Sequence, residues 1–246
     1  MKNMKFTILK ELMDNRLIFI SEKADRSDWF TLKSGDKTPI FFITHKLNSH
    51  PRIMKKIVAY TTALVKANNI AFDSIVGASY GGILYFMWVS YELNKPCLCI
   101  RKEGEKDYDD EGEILGVINK GDRCLLFEDS TVTGSSSLDF VKILDKYDAK
   151  VSGIITLIDA GFGAREVFAE KGIEFHGLFS WKEICDEYVK YNNVGGFIYD
   201  YMKLLDEKRV EINVVTQQIV WQQAMQLFGK ENMILMDEAA LNFSTE

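Results

Sequence analysis

The sequence has no apolar run long enough to span a membrane, because polar residues interrupt every apolar stretch well before ~18 positions. Its first residues alternate charged and apolar side chains and lack the apolar core and cleavage site of a secretory signal. The cysteines show no CxxC spacing and no nearby histidine pair, so zinc binding is not indicated. We expect buried thiols in a reducing compartment, and therefore a cytoplasmic protein. The cysteines are Cys97, Cys99, Cys124 and Cys185.

An excess of positive charge is also absent. The chain has 30 Lys and Arg residues against 36 Asp and Glu residues, a net charge of -6, which argues against general nucleic-acid binding. His45, His50 and His176 have no partners at metal or triad spacing, so we assign them no chemistry. What remains is a globular composition, 47% hydrophobic and 27% charged, in 246 residues that suffice for a sizeable core.

Strand-like and helix-like segments alternate along most of the chain, which is typical of an α/β fold. Such alternation predicts a parallel sheet covered by helices on both faces, with its ligand at the carboxyl ends of the strands. Residues 6–19 predict an amphipathic helix, and residues 29–47 a hairpin around a Ser-Gly-Asp turn and Pro39. Further helices are predicted at 52–68, 83–93, 135–147 and 164–171 and from Trp181, and strands at 74–77, 96–101, 122–128, 151–158 and 174–179.

The strongest chemical signal is the segment at 123–137, RCLLFEDSTVTGSSS. An apolar strand runs into Glu128 and Asp129, then into a loop of small and hydroxyl residues before a predicted helix. Such a loop offers backbone N–H groups, hydroxyls and the positive end of a helix to a phosphate, while carboxylates suit ribose hydroxyls and hydrated Mg²⁺. The segment predicts a sugar phosphate site. A helix start capped by its own serine or threonine side chain has the same pattern.

This segment resembles the phosphoribosyl pyrophosphate motif of type I phosphoribosyltransferases. Three more segments are similar to the orotate branch of that family: FTLKSGDKTPIFF to its base-site hairpin, DSIVGASYGGI to its pyrophosphate-side loop and RKEGEKDY to its catalytic loop. The resemblance covers roughly residues 5–203 in unbroken order. It implies a type I phosphoribosyltransferase-like fold, a parallel sheet flanked by helices with an N-terminal hood hairpin. It also implies transfer of ribose 5-phosphate from phosphoribosyl pyrophosphate to orotate.

The resemblance also implies roles for the loops. Lys106 would be the main catalytic lysine, Arg101 and Lys102 would add cations, and Arg101 and Lys106 would reach the neighbouring subunit's site in a homodimer. Mg²⁺ would arrive with the substrate, near Glu128 and Asp129, rather than in a protein cage. Without the resemblance, the charged segment at 101–113 is equally typical of a solvated surface loop.

The remaining contacts fall on the hairpin and on the two substrate loops. Lys33 would lie near the base and the pyrophosphate, and the backbone at Phe41 and Phe42 would face the base, although phenylalanines in a strand are more often core residues. The implied loop contacts are Glu128, Asp129 (counted as catalytic), Thr131, Thr133, Gly134, Ser135 and Ser136, and on the pyrophosphate side Ser79, Tyr80 and Gly81.

Two substitutions relative to the family affect the expected substrate. Val132 stands where the family has a threonine, so one hydroxyl toward the 5-phosphate is lost. Ala160 stands where the family has an arginine that contacts orotate, and Arg165 would need a different backbone path to replace it. Two alternatives to orotate transfer therefore stay open. The first alternative is a phosphoribosyltransferase for another nucleobase. The second is a catalytically weak, nucleotide-binding regulatory protein.

The C-terminal part of the sequence differs in kind from the rest. A β-branched run, a Gln-rich helical pattern and a Met-rich tail follow residue 207. We expect a phosphoribosyltransferase domain over residues 1–206, with the hood contributed by about 5–48, and an extension at 207–246 that serves packing or dimerisation.

Overall fold

The computed structural model describes residues 2–21, 27–31, 37–77, 80–100, 113–161 and 163–192. Contacts divide the chain into two compact units, one of residues 1–17 and 43–184 and the other of residues 18–42 and 185 onward. The predicted domain boundary at residue 206 and the extension after it lie outside the described residues.

The elements follow one another in the alternating order that the sequence predicts. They are α1 (Lys2–Asp14), β1 (Ile18–Ile20), β2 (Phe30–Thr31), β3 (Lys37–Thr38), β4 (Ile40–Phe42), a 3₁₀ helix (Thr44–Ser49), α2 (Pro51–Ala67), β5 (Ser74–Gly77), α3 (Tyr80–Leu93), β6 (Cys97–Ile100), β7 (Ile114–Leu115), β8 (Arg123–Thr131), α4 (Ser135–Lys146), β9 (Lys150–Asp159), α5 (Ala164–Glu170), β10 (Phe175–Ser180) and α6 (Trp181–Asn192).

The first unit is built on a six-stranded sheet with the order β10-β9-β8-β5-β6-β7. Neighbouring strands run parallel except at the edge, where β7 pairs antiparallel with β6. The predicted parallel sheet is therefore confirmed. The sequence did not predict β7, because two residues are too few to show an alternating pattern.

Helices cover both faces of this sheet, as predicted. On one face, Leu126 of β8 belongs to a buried cluster with Phe140 of α4 and Phe168 of α5. On the other face, the ring of Tyr85 in α3 lies 5.6 Å from that of Phe127. Because β8 alternates between these two packed layers, the side chains at its end also divide between the two faces.

Three elements differ from their predicted bounds by three residues or more. Helix α1 ends at Asp14 instead of continuing to residue 19, because Arg16 adopts a left-handed conformation (φ 53°) and the chain then enters β1. Helix α3 begins at Tyr80, three residues earlier than predicted. Strand β8 continues to Thr131, past the predicted end at Glu128, because its ladder with β9 extends to the pair Thr131 and Asp159.

The second unit contains the predicted hairpin. Strands β2 and β3 pair antiparallel, with Phe30 opposite Thr38. An unpredicted ladder joins β4 to β1, and the ring of Phe41 stacks on that of Phe30 at 4.6 Å. Phe42 is buried. The side chains of both phenylalanines thus pack within this unit, as the strand-core interpretation expects.

All four cysteines are free thiols. Cys124 and Cys185 are buried, as expected, whereas Cys97 and Cys99 on β6 are only half-buried. Burial and the neighbouring Cys97 raise the pKa of the Cys99 thiol, which keeps that thiol protonated and unreactive near neutral pH.

Candidate active site

The acidic pair lies at the carboxyl end of β8, in the middle of the sheet. Glu128 is only 4% exposed, and its carboxylate accepts a hydrogen bond from the Ser137 hydroxyl of α4 at 2.9 Å. Adjacent strand residues point to opposite faces, so Asp129 points away from α4. The two acids therefore have different surroundings, which the sequence pattern does not show.

Asp129 is the more accessible of the two acids, being half-buried. Its Oδ1 accepts the backbone N–H of Ser130 at 2.9 Å, and its Oδ2 faces the Thr44 hydroxyl of the 3₁₀ helix at 3.3 Å. The long second contact is weak. Asp129 is thus oriented by local bonds and can accept hydroxyl groups of a ligand. Thr44 was not among the predicted site residues, and no local sequence signal marks it.

The residues after the acids divide into buried and exposed hydroxyls. Thr131 lies in β8 rather than in the loop, and its buried Oγ1 has no hydrogen-bond partner among the described residues, which corrects its expected place in the phosphate loop. Thr133, Ser135 and Ser136 are exposed, and the Thr133 hydroxyl donates to that of Ser135 at 3.3 Å. The exposed hydroxyls are the ones available to a phosphate.

The start of α4 has no side-chain cap. Gly134 occupies the cap position with a left-handed backbone (φ 81°), and no side chain there bonds to the helix N–H groups. The alternative of a serine-capped or threonine-capped helix is therefore wrong. The first N–H groups of any helix lack intrahelical acceptors, so those of α4 remain donors for an anion. The hydroxyl of Ser137, the last residue of the segment at 123–137, donates to Glu128 and is therefore not directed to a phosphate.

Gly134 also meets a close neighbour behind the loop. A Cβ atom at this position would lie 2.6 Å from the ring of Phe168, which is fully buried in α5. The loop therefore requires glycine for its backbone conformation and for space. A loop held this tightly keeps its N–H groups in fixed positions.

The pyrophosphate-side segment is partly helical. Tyr80 and Gly81 lie in the first turn of α3 and not in the predicted loop, and Ser79 lies outside the described residues. Before them, Gly77 ends β5 where any Cβ atom would overlap the ring of Phe86 of α3. This close approach of strand and helix requires a glycine at position 77.

On the hairpin, the backbone N–H and C=O groups of Phe41 and Phe42 point in opposite directions. Ile43 and Leu17 form a hydrogen-bonded pair, as do Ser21 and Pro39, so by alternation Phe41 bonds to Phe19 of β1. The N–H and C=O groups of Phe42 therefore point away from β1. Lys33 lies outside the described residues, and so do Arg101, Lys102 and Lys106 of the expected catalytic loop.

The end of β9 lies beside the end of β8. The Ala160 N–H donates to the Thr131 carbonyl at 2.9 Å. Asp159 is 8% exposed and accepts bonds from the Gly161 N–H at 2.9 Å and from the Arg165 guanidinium at 3.1 Å. Arg165 also donates to the Phe175 carbonyl at 3.2 Å and lies 5.2 Å from the Phe175 ring centre. These contacts hold the Arg165 guanidinium against Asp159 at the end of β9 and Phe175 at the start of β10.

No described residues form a ready metal site. Within the described ranges, no group of three or more His, Cys, Asp or Glu side chains is placed to hold a metal ion. None of the described helices is both long and apolar enough to cross a bilayer.

Known proteins resemble this chain in sequence and in fold. The orotate phosphoribosyltransferase of Methanocorpusculum labreanum is 33% identical over 174 residues, which cover 70% of this chain and 99% of that protein. The orotate phosphoribosyltransferase of Pyrococcus horikoshii is 30% identical over 167 residues, covering 68% of this chain and 89% of that protein. No family model matches the chain.

A solved structure has the same architecture. The orotate phosphoribosyltransferase of Francisella tularensis superposes with a TM-score of 0.64 at 20% identity, covering 82% of this chain and 98% of that one. Its likeness supports the fold, and the identities and coverage of the curated relatives support the family. The chain belongs to the orotate phosphoribosyltransferase family.

Proposed function

We propose that this protein transfers the ribose 5-phosphate group of phosphoribosyl pyrophosphate to orotate, giving orotidine 5′-monophosphate and pyrophosphate. One observation carries the proposal: the half-buried carboxylate of Asp129 lies near the end of β8, six residues before Ser135, the first residue of a helix that has no side-chain cap. The carboxylate suits ribose hydroxyls and the helix start suits the 5-phosphate. The family membership supports the assignment.

Each part of this site has a share in the reaction. The N–H groups of α4 and the hydroxyls of Thr133, Ser135 and Ser136 bind the 5-phosphate, and Asp129 accepts the ribose hydroxyls. Departure of pyrophosphate leaves positive charge at C1 of the ribose and requires cations near the leaving group. We assign those cations to Arg101, Lys102 and Lys106, with Lys106 the principal one. Their roles rest on the resemblance of RKEGEKDY to the catalytic loop.

We also propose that Mg²⁺ enters as a complex with phosphoribosyl pyrophosphate. The described residues fit a substrate-borne ion better than a protein cage, because Glu128 is buried against Ser137 and Asp129 is the half-buried acid of the pair. Mg²⁺ is commonly held by one or two carboxylates together with substrate phosphates. When bound, it would neutralise part of the charge of the departing pyrophosphate.

A homodimer is the third part of the proposal, because the family resemblance places Arg101 and Lys106 in the neighbouring subunit's site. Helix α3 supports it, since three large apolar side chains near its end are exposed to solvent: Met87 at 49%, Trp88 at 56% and Tyr91 at 82%. Clusters of this kind commonly mark contacts between proteins. The helix leads through β6 into residue 101, where the segment that resembles the catalytic loop begins, so we assign this face to a second copy of the chain.

The dimer is tested by Trp88→Glu. The variant should elute as a monomer on size-exclusion chromatography with light scattering and should lose most of its turnover. Mixing it with an excess of inactive Lys106→Ala protein should restore no turnover, because the variant cannot form a mixed dimer. An unchanged dimer, or a fully active monomer, would contradict the assignment. We place the enzyme in the cytoplasm, which the four free thiols support.

One observation favours a second candidate, a phosphoribosyltransferase for an uncharged base. Position 160 carries a methyl group, and the nearest arginine along the chain, Arg165, is held by Asp159 and by Phe175. A carboxylate on the base then has less positive charge to meet.

A panel of bases decides between these candidates. Purified protein with Mg²⁺ and phosphoribosyl pyrophosphate should consume orotate, seen as a loss of its absorbance, faster than it consumes uracil, adenine, guanine or hypoxanthine. Turnover with another base but not with orotate would establish the second candidate. Tight binding of phosphoribosyl pyrophosphate by calorimetry without turnover of any base would identify a regulatory, catalytically weak protein.

A further inference from the structure

Thr44 brings a further polar side chain to the carboxyl end of β8, beside Asp129. It is the first residue of the 3₁₀ helix (Thr44–Ser49), which packs against α2 and α3. Its hydroxyl lies 3.3 Å from Oδ2 of Asp129, although the two residues are 85 positions apart in sequence. The packing of the elements, and not a local motif, therefore places this hydroxyl at the proposed sugar site.

The period of the 3₁₀ helix explains why Thr44 faces inward. Side chains three residues apart lie on the same side of such a helix, and Leu47, three residues after Thr44, is 2% exposed. The residues between them, His45 and Lys46, are exposed. The buried leucine thus anchors one side of the helix to the protein, and Thr44 on the same side is turned toward Asp129.

The Thr44 hydroxyl is available to a ligand. It belongs to a half-buried residue, and among the residues that the structure describes its single hydrogen-bond partner is Asp129. That bond is long, because hydrogen bonds between oxygens are most often about 2.7–2.8 Å. Little is therefore lost when the hydroxyl, which can rotate about its C–O bond, turns to a closer acceptor.

A ribose hydroxyl both donates and accepts hydrogen bonds. The Asp129 carboxylate can only accept, so it pairs with the hydrogen of a sugar hydroxyl and supplies no donor to the lone pairs of the sugar oxygen. The Thr44 hydroxyl can supply that donor from a position 3.3 Å away from the carboxylate. Since a desolvated polar group without a partner is costly, this second contact strengthens binding of the sugar.

We propose that Thr44 is a further sugar-binding residue, whose hydroxyl donates to a ribose hydroxyl of the substrate beside the Asp129 carboxylate. This role of Thr44 rests on the proposed function. It adds a hydrogen-bond donor from the 3₁₀ helix to the acidic side chains at the carboxyl end of β8, so that the sugar is held from two elements of the fold.

Two simple ligands test this role: ribose 5-phosphate, and inorganic phosphate, which lacks the sugar. Thr44→Val replaces the hydroxyl by a methyl group of similar size. Calorimetry should show ribose 5-phosphate bound about three- to tenfold more weakly and inorganic phosphate within about twofold of the unsubstituted protein, because one neutral hydrogen bond to the sugar is lost. Thr44→Ser keeps the hydroxyl and should bind both ligands as the unsubstituted protein does.

A double variant separates direct binding of the sugar from orientation of Asp129. If Thr44 acted only by orienting that carboxylate, Thr44→Val would change nothing in a protein that already carries Asp129→Ala. A hydroxyl that bonds to the sugar itself still contributes there. The double variant should therefore bind ribose 5-phosphate at least about twofold more weakly than Asp129→Ala alone.

Thr7→Val is the matched control. The Thr7 side chain is exposed, and its hydroxyl donates to the Asn3 carbonyl at 2.9 Å within α1, so the same group is removed from a helix of the same unit. Both affinities should stay within about twofold, as for most surface substitutions. The control shows that loss of a threonine hydroxyl does not by itself lower the affinity for the sugar.

Four results would overturn this role. Unchanged affinity of Thr44→Val for ribose 5-phosphate would show that the hydroxyl does not meet the sugar, and an equal loss for both ligands would make Thr44 merely structural. A loss that Thr44→Ser shares would assign the effect to the shape of the side chain. No further loss in the double variant would leave only orientation of Asp129. Failure of the proposed function looks different: the unsubstituted protein would then bind ribose 5-phosphate no more tightly than inorganic phosphate.

Discussion

The ends of β8 and β9 follow the same backbone plan but differ in what their polar groups contact. Each strand runs into a short loop whose last residue is a left-handed glycine, Gly134 (φ 81°) or Gly163 (φ 89°), and then into a helix. After β9, Asp159 is held by Gly161 and Arg165 of its own loop and helix. After β8, exposed hydroxyls and the first N–H groups of α4 face outward. The acid after β9 is bonded within its own loop and helix, whereas the loop after β8 presents hydroxyls to a ligand.

This difference explains why the strand-loop-helix pattern alone does not identify a site. The loop after β9 also contains glycines and a neighbouring acid, yet its carboxylate is already bonded and α5 has only 7 residues. Neither helix start has a side-chain cap, but the loop after β8 leads into a longer helix and has exposed hydroxyls and a half-buried acid beside it. A phosphate site therefore requires exposed hydroxyls and an accessible acid, in addition to small residues before a helix.

The largest expected effect comes from adding a methyl group to each glycine. Gly134→Ala should lower the unfolding midpoint by roughly 6 to 12 °C and abolish binding of ribose 5-phosphate, because left-handed strain of about 1–2 kcal/mol adds to overlap with Phe168 of about 1–3 kcal/mol. Gly163→Ala meets nothing within 4 Å and should lose only the strain, roughly 2 to 6 °C, with binding intact. Calorimetry checks both variants, and equal losses in the two would mean that the loops do not differ as described.

The next effect comes from neutralising one acid at the end of each strand. Asp129→Asn should weaken ribose 5-phosphate and reduce kcat/KM roughly 10- to 100-fold with little change in stability, since a hydrogen bond to a charged group contributes about 1.5–3 kcal/mol. Asp159→Asn should show the reverse, a lower free energy of unfolding and unchanged ribose 5-phosphate affinity, because its carboxylate bonds only within the structure. Steady-state kinetics and urea unfolding separate the two. Normal kinetics in Asp129→Asn would place the ribose elsewhere.

Much of this fold could be predicted from the sequence because its strands are short apolar runs between turns. The bounds of α2 and β5 follow directly from such runs and from Pro51. The end of α1 could not be predicted, because Leu17 and Phe19 continue the helical spacing, and only the backbone turn at Arg16 shows where the helix stops.

The candidate site divides in the same way. The phosphate loop and the acid Asp129 could be found from local pattern, since both depend on neighbouring residues. The bond of Ser137 to Glu128 and the contact of Thr44 with Asp129, residues 85 apart in sequence, exist only after the elements pack. Nothing in a single sequence reveals them. For the same reason the sequence does not distinguish Glu128 from Asp129, whose side chains point to opposite faces of β8.

A smaller effect is expected from adding an arginine to the loop after β9. Ala160→Arg adds a guanidinium beside the end of β8, where the Ala160 N–H already bonds to the Thr131 carbonyl. If orotate is bound next to this position, the KM for orotate should fall about 3- to 10-fold, since a charge-assisted hydrogen bond to a carboxylate is gained. The KM for an uncharged base such as uracil should not fall. Ala160→Gln, similar in length and uncharged, is the control, and a parallel fall in it would assign the effect to packing.

The smallest expected effect is that of Arg165→Gln. This variant tests whether the loop after β9 takes no part in binding the base. The Arg165 side chain is 58% exposed and bonds to Asp159 and to the Phe175 carbonyl, so its loss should cost about 1 kcal/mol of stability or less. Because the guanidinium is held within its own loop and helix, the KM for orotate should stay within about twofold, well inside the effect expected of a ligand hydrogen bond. Urea unfolding and steady-state kinetics measure the two quantities on the same protein. A large rise in the KM for orotate with unchanged stability would show that Arg165 leaves Asp159 when substrate binds, and the contrast between the two loops would then hold only for the free protein.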